Sequence, residues 1–249
     1  MSSTRMGYTR VRAVSFPRTR TLLRWTWYAL LLALIGLVVV QFWFLANVWY
    51  WADHNPEGTA FMRARLEILR EDDPNARIDQ RWVPYDRIPG HLKRAVIAAE
   101  DDKFVGHSGF DWAAIEKAYE QNRQEGEIVR GASTISQQLA KNLFLSGERA
   151  LWRKAQEAGI TVMLETLLTK RRILEIYLNV VEWGDGVYGA EAAARYHFDA
   201  PAVALSPIQS ARLAAMLPSP RSYPPGLDTV YLQQRTAAIL ARMNYAQVP

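Results

Sequence analysis

The stretch "AAEDDKF", residues 98–104, sets Glu100, Asp101 and Asp102 side by side at the end of an apolar run. Helix ends of that kind favour cations, because the macrodipole is negative there. Two readings follow. The three carboxylates form a solvated turn, or one of them is placed for acid–base work. A carboxylate at an apolar helix end is desolvated, which raises its pKa, and a neighbouring carboxylate raises it further. Glu100 is then the general-base candidate, suited to taking a proton from a hydroxyl. His107, just before Ser-Gly, reads as a turn residue that bonds locally. It has no second histidine at metal-ligand spacing, which argues against zinc.

Two later stretches carry complementary charge. In "GASTISQQLAKNLFL", residues 131–145, Thr134 and Gln137 have the spacing of a capping box and mark a helix start. Thr134, Gln137, Gln138 and Lys141 share one helical face. A helix N-terminus, two amides and an ammonium could cradle an anion, with Gly131 letting the backbone approach. The same pattern also describes an ordinary amphipathic helix with a solvated face. In "ERALWRKAQEAG", residues 148–159, Arg149, Arg153 and Gln156 form one stripe, with Glu157 beside it. Two guanidiniums on a stripe suit a diphosphate. The alternative is a surface ion pair between Arg153 and Glu157, of little energetic weight. Neither a GxxxxGK[ST] phosphate loop nor a GxSxG nucleophile motif occurs.

The elements that must position these groups read as mostly helical. Pro89 can open a helix, and Leu92, Val96 and Ala99 follow at helical spacing. Asp111 is a good N-cap for "WAAIEKAYEQNRQ". Further helices are expected at "TISQQLAKNLFL", from about Arg149 to Leu168, at "RRILEIYLNVV", "AEAAARYHF" and "SPIQSARLAAML", and from about Thr229 to Met243. The glycine-rich "EWGDGVYG" and the loop "PSPRSYPPG" punctuate them. "RWVPYDRIP" is expected to be strand-like, and little other sheet is foreseen. There is no internal repeat and no low-complexity tract.

Charge and hydropathy divide the chain further. The formal net charge is +5, but six arginines, from Arg5 to Arg24, precede the first acidic residue, Asp53. The remainder is slightly acidic, so the basic excess belongs to a tail and does not describe a nucleic-acid-binding face. There is no cysteine, which rules out disulfides and thiolate metal sites. From Trp25 to Ala52 no residue is charged, enough for a helix of about 40 Å. Aromatic residues cluster at both ends of this run, as interfacial belts do. It is too long for the apolar region of a cleaved signal peptide, and no convincing cleavage site follows it. The expected organisation is a basic tail (1–24), a transmembrane anchor (25–52), a juxtamembrane stalk (53–80) and a globular domain (81–249). The positive-inside rule puts the tail in the cytoplasm and the domain outside.

Taken in order, "EDDKFVGHSGFD", "GASTISQQLAKNLFL", "RKAQE", "RRILEIYLNVVEWGDGVYGAEAAARYHF" and "LPSPRSYPP" resemble the motifs of the peptidoglycan glycosyltransferases, specifically the monofunctional biosynthetic transglycosylases. The likeness spans about residues 80–245. It implies a mainly α, lysozyme-like, two-lobed domain after a single membrane helix, in the bacterial inner membrane with the domain periplasmic. It implies polymerisation of lipid II into glycan strands, with a lipid-linked chain as donor, a β-1,4 bond formed with inversion, and undecaprenyl diphosphate released. By the same resemblance Glu100 is the base that deprotonates the acceptor hydroxyl, and Asp101 supports it. Ser133, Gln137, Gln138, Lys141 and Asn142 match a substrate-binding motif, with Lys141 on the donor diphosphate. Arg149 and Arg153 match basic residues that stabilise the leaving group. Glu157 matches a second essential carboxylate, which either holds a divalent cation (Mg2+ or Mn2+) or orients the basic residues. No organic cofactor is implied. The partners implied are the membrane, lipid II with its glycan chain, and other cell-wall synthesis and division proteins.

One departure stands out: Gln156 occupies a position where some relatives carry lysine. The chain also has no Ser-x-x-Lys, so no peptide cross-linking is expected. Two other functions remain open at this level, a lytic muramidase and a membrane-tethered scaffold. Hydrolysis of a neutral glycosidic bond needs no diphosphate cradle, which weighs against the muramidase.

Overall fold

The computed structural model describes residues 18–125, 133–145 and 151–249. Contacts divide the chain after Trp43 into two compact units. The first is dominated by α1, Arg18–Tyr50. Its stretch Thr21–Tyr50 is long and apolar enough to cross a membrane, and only 6% of its most apolar window is buried. The helix begins before Trp25, because the arginines and threonines ahead of the apolar run continue the same helical backbone.

The last turns of α1 belong to the second unit. Phe44 and Val48 are buried there, and Phe44 meets the ring of Phe144 edge-on at 4.9 Å. Arg172 then closes the segment: its guanidinium donates to the carbonyls of Trp51 and His54. Carbonyls at a helix C-terminus lack intrahelical partners, and a guanidinium satisfies several at once.

Residues 53–80 hold more structure than a stalk. Thr59 caps a helix, α2 (Ala60–Asp72), by accepting the N–H of Met62 at 3.1 Å. Met62 is buried, and Arg65 bonds Asp185 across the chain. Met62, Leu66 and Leu69 stand at helical spacing among charged neighbours, so the stretch does carry a periodic signal. The segment "RWVPYDRIP" also differs from expectation. Only Asp79–Gln80 (β1) is strand, followed by a 3-10 turn at Tyr85–Arg87. Pro84 and Pro89 cannot donate to a ladder. Val83 instead pairs with the side chain of Asn179, which accepts its N–H at 2.7 Å and donates to its carbonyl at 2.9 Å.

The remaining helices fall within a few residues of the sequence expectation. They are α3 (Gly90–Glu100), α4 (Trp112–Glu125), α5 (Ile135–Phe144), α6 (Leu151–Leu167), α7 (Lys170–Val180), α8 (Ala190–Phe198), α9 (Pro207–Met216) and α10 (Val230–Arg242). They assemble as two helix groups sharing one core. In one, α3 packs on α9 and α10; in the other, α5 packs on α2, α6 and α7. α3 lies deep, with Leu92, Ala95, Val96 and Ile97 fully buried.

The glycine-rich turn forms β2 (Glu182–Gly184) and β3 (Val187–Tyr188), and β3 lies between β2 and β1. Gly189, at φ 84, ends this turn. A Cβ there would stand 2.6 Å from the carbonyl oxygen of Asn179, so only glycine fits.

Candidate active site

The site begins where α3 stops. Glu100 is its last residue, and its side chain is 12% exposed. Gln138, on α5, donates from Nε2 to Glu100 Oε2 at 2.8 Å. The hydroxyl of buried Tyr177, on α7, donates to Gln138 Oε1 at 2.8 Å, which assigns the amide orientation. Three helices therefore fix one carboxylate. Burial pushes the Glu100 pKa up. The Gln138 hydrogen bond and the Arg235 charge oppose that rise, and Asp101 adds to it.

Asp101 is buried and fully engaged. Its Oδ1 accepts from His107 Nε2 at 2.9 Å, and its Oδ2 accepts the N–H of Ile135 at 3.0 Å. His107 Nδ1 accepts the N–H of Gly109, so the ring proton sits on Nε2. His107 is thus a local hydrogen-bonding residue, as expected, and its partner is the motif's own aspartate. Asp102 is exposed. Gly109, at φ 90, lies against α6, where a Cβ would come within 2.7 Å of Thr161 Cγ2.

The start of α5 carries the capping box. Thr134 and Gln137 exchange backbone and side-chain bonds, and the Thr134 hydroxyl also donates to Gly109 O at 2.7 Å. This uses the carbonyl oxygen of Gln137 for structure. The reading of α5 as a solvated amphipathic helix does not hold. Ile135, Ser136, Gln137, Leu139, Ala140 and Leu143 are buried, and Gln138 bonds Glu100.

These residues open onto a groove of about 560 Å³. Glu100, Ser133, Gln137, Gln138, Lys141, Asn142 and Glu157 line it, together with Phe61, Glu182 and the loop Leu217–Ser222. Lys141 is exposed, with its ammonium 5.6 Å from the Phe61 ring. A narrower cleft continues from Glu100 and Ser133 past Asp101 and Asp102 to Asp111 and Arg242.

Seven of the ten sequence candidates thus meet in one groove, with Asp101 beneath them. Arg153 lies on α6 with its guanidinium 5.8 Å from the Trp152 ring, and it does not line the groove. Arg149 lies outside the described residues, as does Gly131. Glu157 is buried and ion-paired to Lys154 at i,i+3. No three His, Cys, Asp or Glu side chains gather at metal-binding geometry among the described residues. Glu157, the residue expected to hold a cation, has its carboxylate paired with the Lys154 ammonium.

Sequence reasoning passed over five side chains. Lys154 could have been found from its i,i+3 spacing to Glu157. Tyr177 and Arg235, whose Nη2 stands 4.0 Å from Glu100 Oε1, carry no local signal. Neither does the pair of Glu182 and Arg221, bonded through two contacts of 3.0 and 2.9 Å on the groove wall.

Comparison with known proteins shows the family. A family model described as transglycosylase matches residues 67–244. A biosynthetic peptidoglycan transglycosylase of Methylobacillus flagellatus is 57% identical over 90% of this chain and 97% of its own length. Proteins of the same name from Nitrosospira multiformis and an Azoarcus species are 54% and 56% identical. They match over 91% and 92% of this chain, and 98% and 99% of their own lengths. A buried carboxylate and an exposed ammonium sharing one groove suit glycosyl transfer, and the chain belongs to the transglycosylase family, among the biosynthetic peptidoglycan transglycosylases, as a peptidoglycan glycosyltransferase.

Proposed function

We propose that the enzyme polymerises lipid II by a single inverting displacement, with Glu100 as base and Lys141 on the donor diphosphate. The observation that carries this reading is that Glu100 and Lys141 open onto the same groove. The acceptor's 4-hydroxyl gives its proton to the Glu100 carboxylate. Its oxygen forms the new bond to C1 of the donor sugar. The bond from C1 to the diphosphate oxygen breaks, and its electron pair leaves on undecaprenyl diphosphate. A diphosphate needs charge stabilisation and no protonation, so a cation can replace a general acid. Raised basicity makes Glu100 a better proton acceptor than an exposed carboxylate.

Glu157, through Lys154, is assigned the orienting role at the groove floor, and no step passes through a metal ion. The α1 helix anchors the enzyme in the inner membrane. With the arginine-rich tail in the cytoplasm, the domain is periplasmic. Substrate and product are both lipid-linked, so an anchored enzyme searches a surface.

Incubation of the full-length protein with purified lipid II tests this, with and without a chelator. Wild type should form polymer in both, Glu100→Gln should form none while still binding donor, and Lys141→Ala should bind donor more weakly yet remain folded. Solubilised fragments from finished glycan, without polymer from lipid II, would instead establish a muramidase. Loss of polymer with the chelator, restored by Mg2+ or Mn2+, would return Glu157 to the cation role.

A further inference from the structure

Glu100 has two oxygens in different surroundings. Oε2 accepts from Gln138, whereas Oε1 faces Arg235 Nη2 at 4.0 Å. That separation is too long for a hydrogen bond but short enough for a strong charge interaction across a partly desolvated gap. Arg235 projects from α10 and does not line the groove. Its Nε is buried without a hydrogen-bond partner. A buried guanidinium edge left unsatisfied is costly, so something else must favour its placement.

We propose that Arg235 is a positioning residue for the transfer reaction, holding Glu100 ionised while leaving Oε1 open to take the acceptor's proton. This rests on Glu100 being the base. A guanidinium in direct contact would occupy the lone pairs that must receive the proton. At 4.0 Å it acts through its field alone. The other groups that face Glu100 cannot do this. Asp101, from the end of the same helix, repels the charge, and Tyr177 reaches it only through Gln138. Lys141 and Arg242 are cations on the walls of the groove and the cleft, where substrate would meet them. The Arg235 charge opposes the upward push of burial on Glu100.

Initial rates of lipid II polymerisation by the full-length enzyme, measured across pH, test this for Arg235→Gln and Arg235→Lys. The acid limb of kcat/KM reports the base in the free enzyme. Removing a nearby cation raises a carboxylate's pKa, so Arg235→Gln should move that limb up by about one pH unit. At pH values on the limb, activity should fall about tenfold. KM should stay within about threefold of wild type, because Arg235 is not a groove residue. Arg235→Lys should lie between the two.

An unmoved limb, or a loss confined to KM, overturns the proposal. Should Arg235→Gln not fold, Arg235→Lys decides alone. Its altered reach moves the limb upward if the proposal holds and leaves it in place if Arg235 is merely structural. Glu100→Gln separates this inference from the reading beneath it. An active Glu100→Gln removes Glu100 as base. An inactive Glu100→Gln beside Arg235 variants with the wild-type limb removes only Arg235.

Discussion

Asp101 Oδ2 accepts the backbone N–H of Ile135 at 3.0 Å, so the residue after the base candidate caps the helix that carries Gln138 and Lys141. The first N–H groups of a helix have no intrahelical partner, and a buried one must find an acceptor elsewhere. Asp101 supplies it, and the charge also suits the positive end of the helix dipole. The carboxylate and the cationic parts of the site are thereby held in one register.

Asp101→Asn tests that coupling. Asparagine has the same shape but one acceptor oxygen, whereas Asp101 accepts from both Ile135 and His107. One buried donor is left unpaired, at a cost of about 1–3 kcal/mol in chemical denaturation. Polymerisation should fall along with stability. Asp102→Asn, at an exposed position, should change stability by less than about 0.5 kcal/mol. Equal losses in the two variants would show that Asp101 does not couple the motifs.

The link from Tyr177 through Gln138 to Glu100 makes a kinetic prediction. Gln138→Met keeps the volume but removes the donor to Glu100 Oε2. That bond favours the carboxylate form, so its loss should raise the acid limb of the rate profile. Tyr177→Phe only frees the amide to turn over, and should lower kcat by a smaller factor without moving the limb as far. Rate–pH profiles of both variants check the order of the two effects.

Burial of Glu100 also predicts a trade between stability and activity. Its folded-state pKa is raised above the ordinary value, so the native state holds this proton to higher pH than the unfolded chain. The stability contributed by the protonated form is present below the ordinary carboxylate range. It is lost as pH rises through the elevated pKa, after which the penalty is constant. Glu100→Gln removes that penalty. At neutral pH it should unfold at higher temperature than wild type while losing activity. The gain should shrink as pH falls towards the ordinary carboxylate range, and thermal unfolding across pH measures it.

These relationships differ in how far a single sequence could reveal them. The capping box at Thr134 and Gln137 is a local pattern, and it appears as the spacing predicts. The carboxylates could be found but not ranked by physics alone, because desolvation of Glu100 depends on helices far along the chain. Asp101's role is set by Ile135, and Glu100's field by Arg235 near the C-terminus. No periodicity encodes such pairings. The helix Ala60–Asp72, by contrast, does carry a local signal, the Thr59 cap and Met62, Leu66 and Leu69 at helical spacing, set among many charged residues. The alternative pair of Arg153 and Glu157 followed the i,i+4 rule, yet Glu157 pairs with Lys154. Both spacings are allowed on a helix, and the rotamer decides between them.

The groove wall opposite α5 supplies the last prediction. Arg221 donates from Nε and Nη2 to the two oxygens of Glu182, at 3.0 and 2.9 Å. The Glu182 side chain is 8% exposed and that of Arg221 is 43% exposed. Removing the exposed partner is therefore the damaging change, because it strands a buried carboxylate. Arg221→Ala should cost about 3 kcal/mol, near the lower end for a broken buried pair, since one side is open to water. Arg221→Ala combined with Glu182→Gln should recover part of that loss, because the stranded charge is gone. The loop Pro218–Ser222 lines the groove, so its release should raise KM for lipid II more than it lowers kcat. Denaturation of the two single variants and the double variant, with KM for each, checks both parts. If the double variant were no more stable than Arg221→Ala, the pair would not be what fixes this wall.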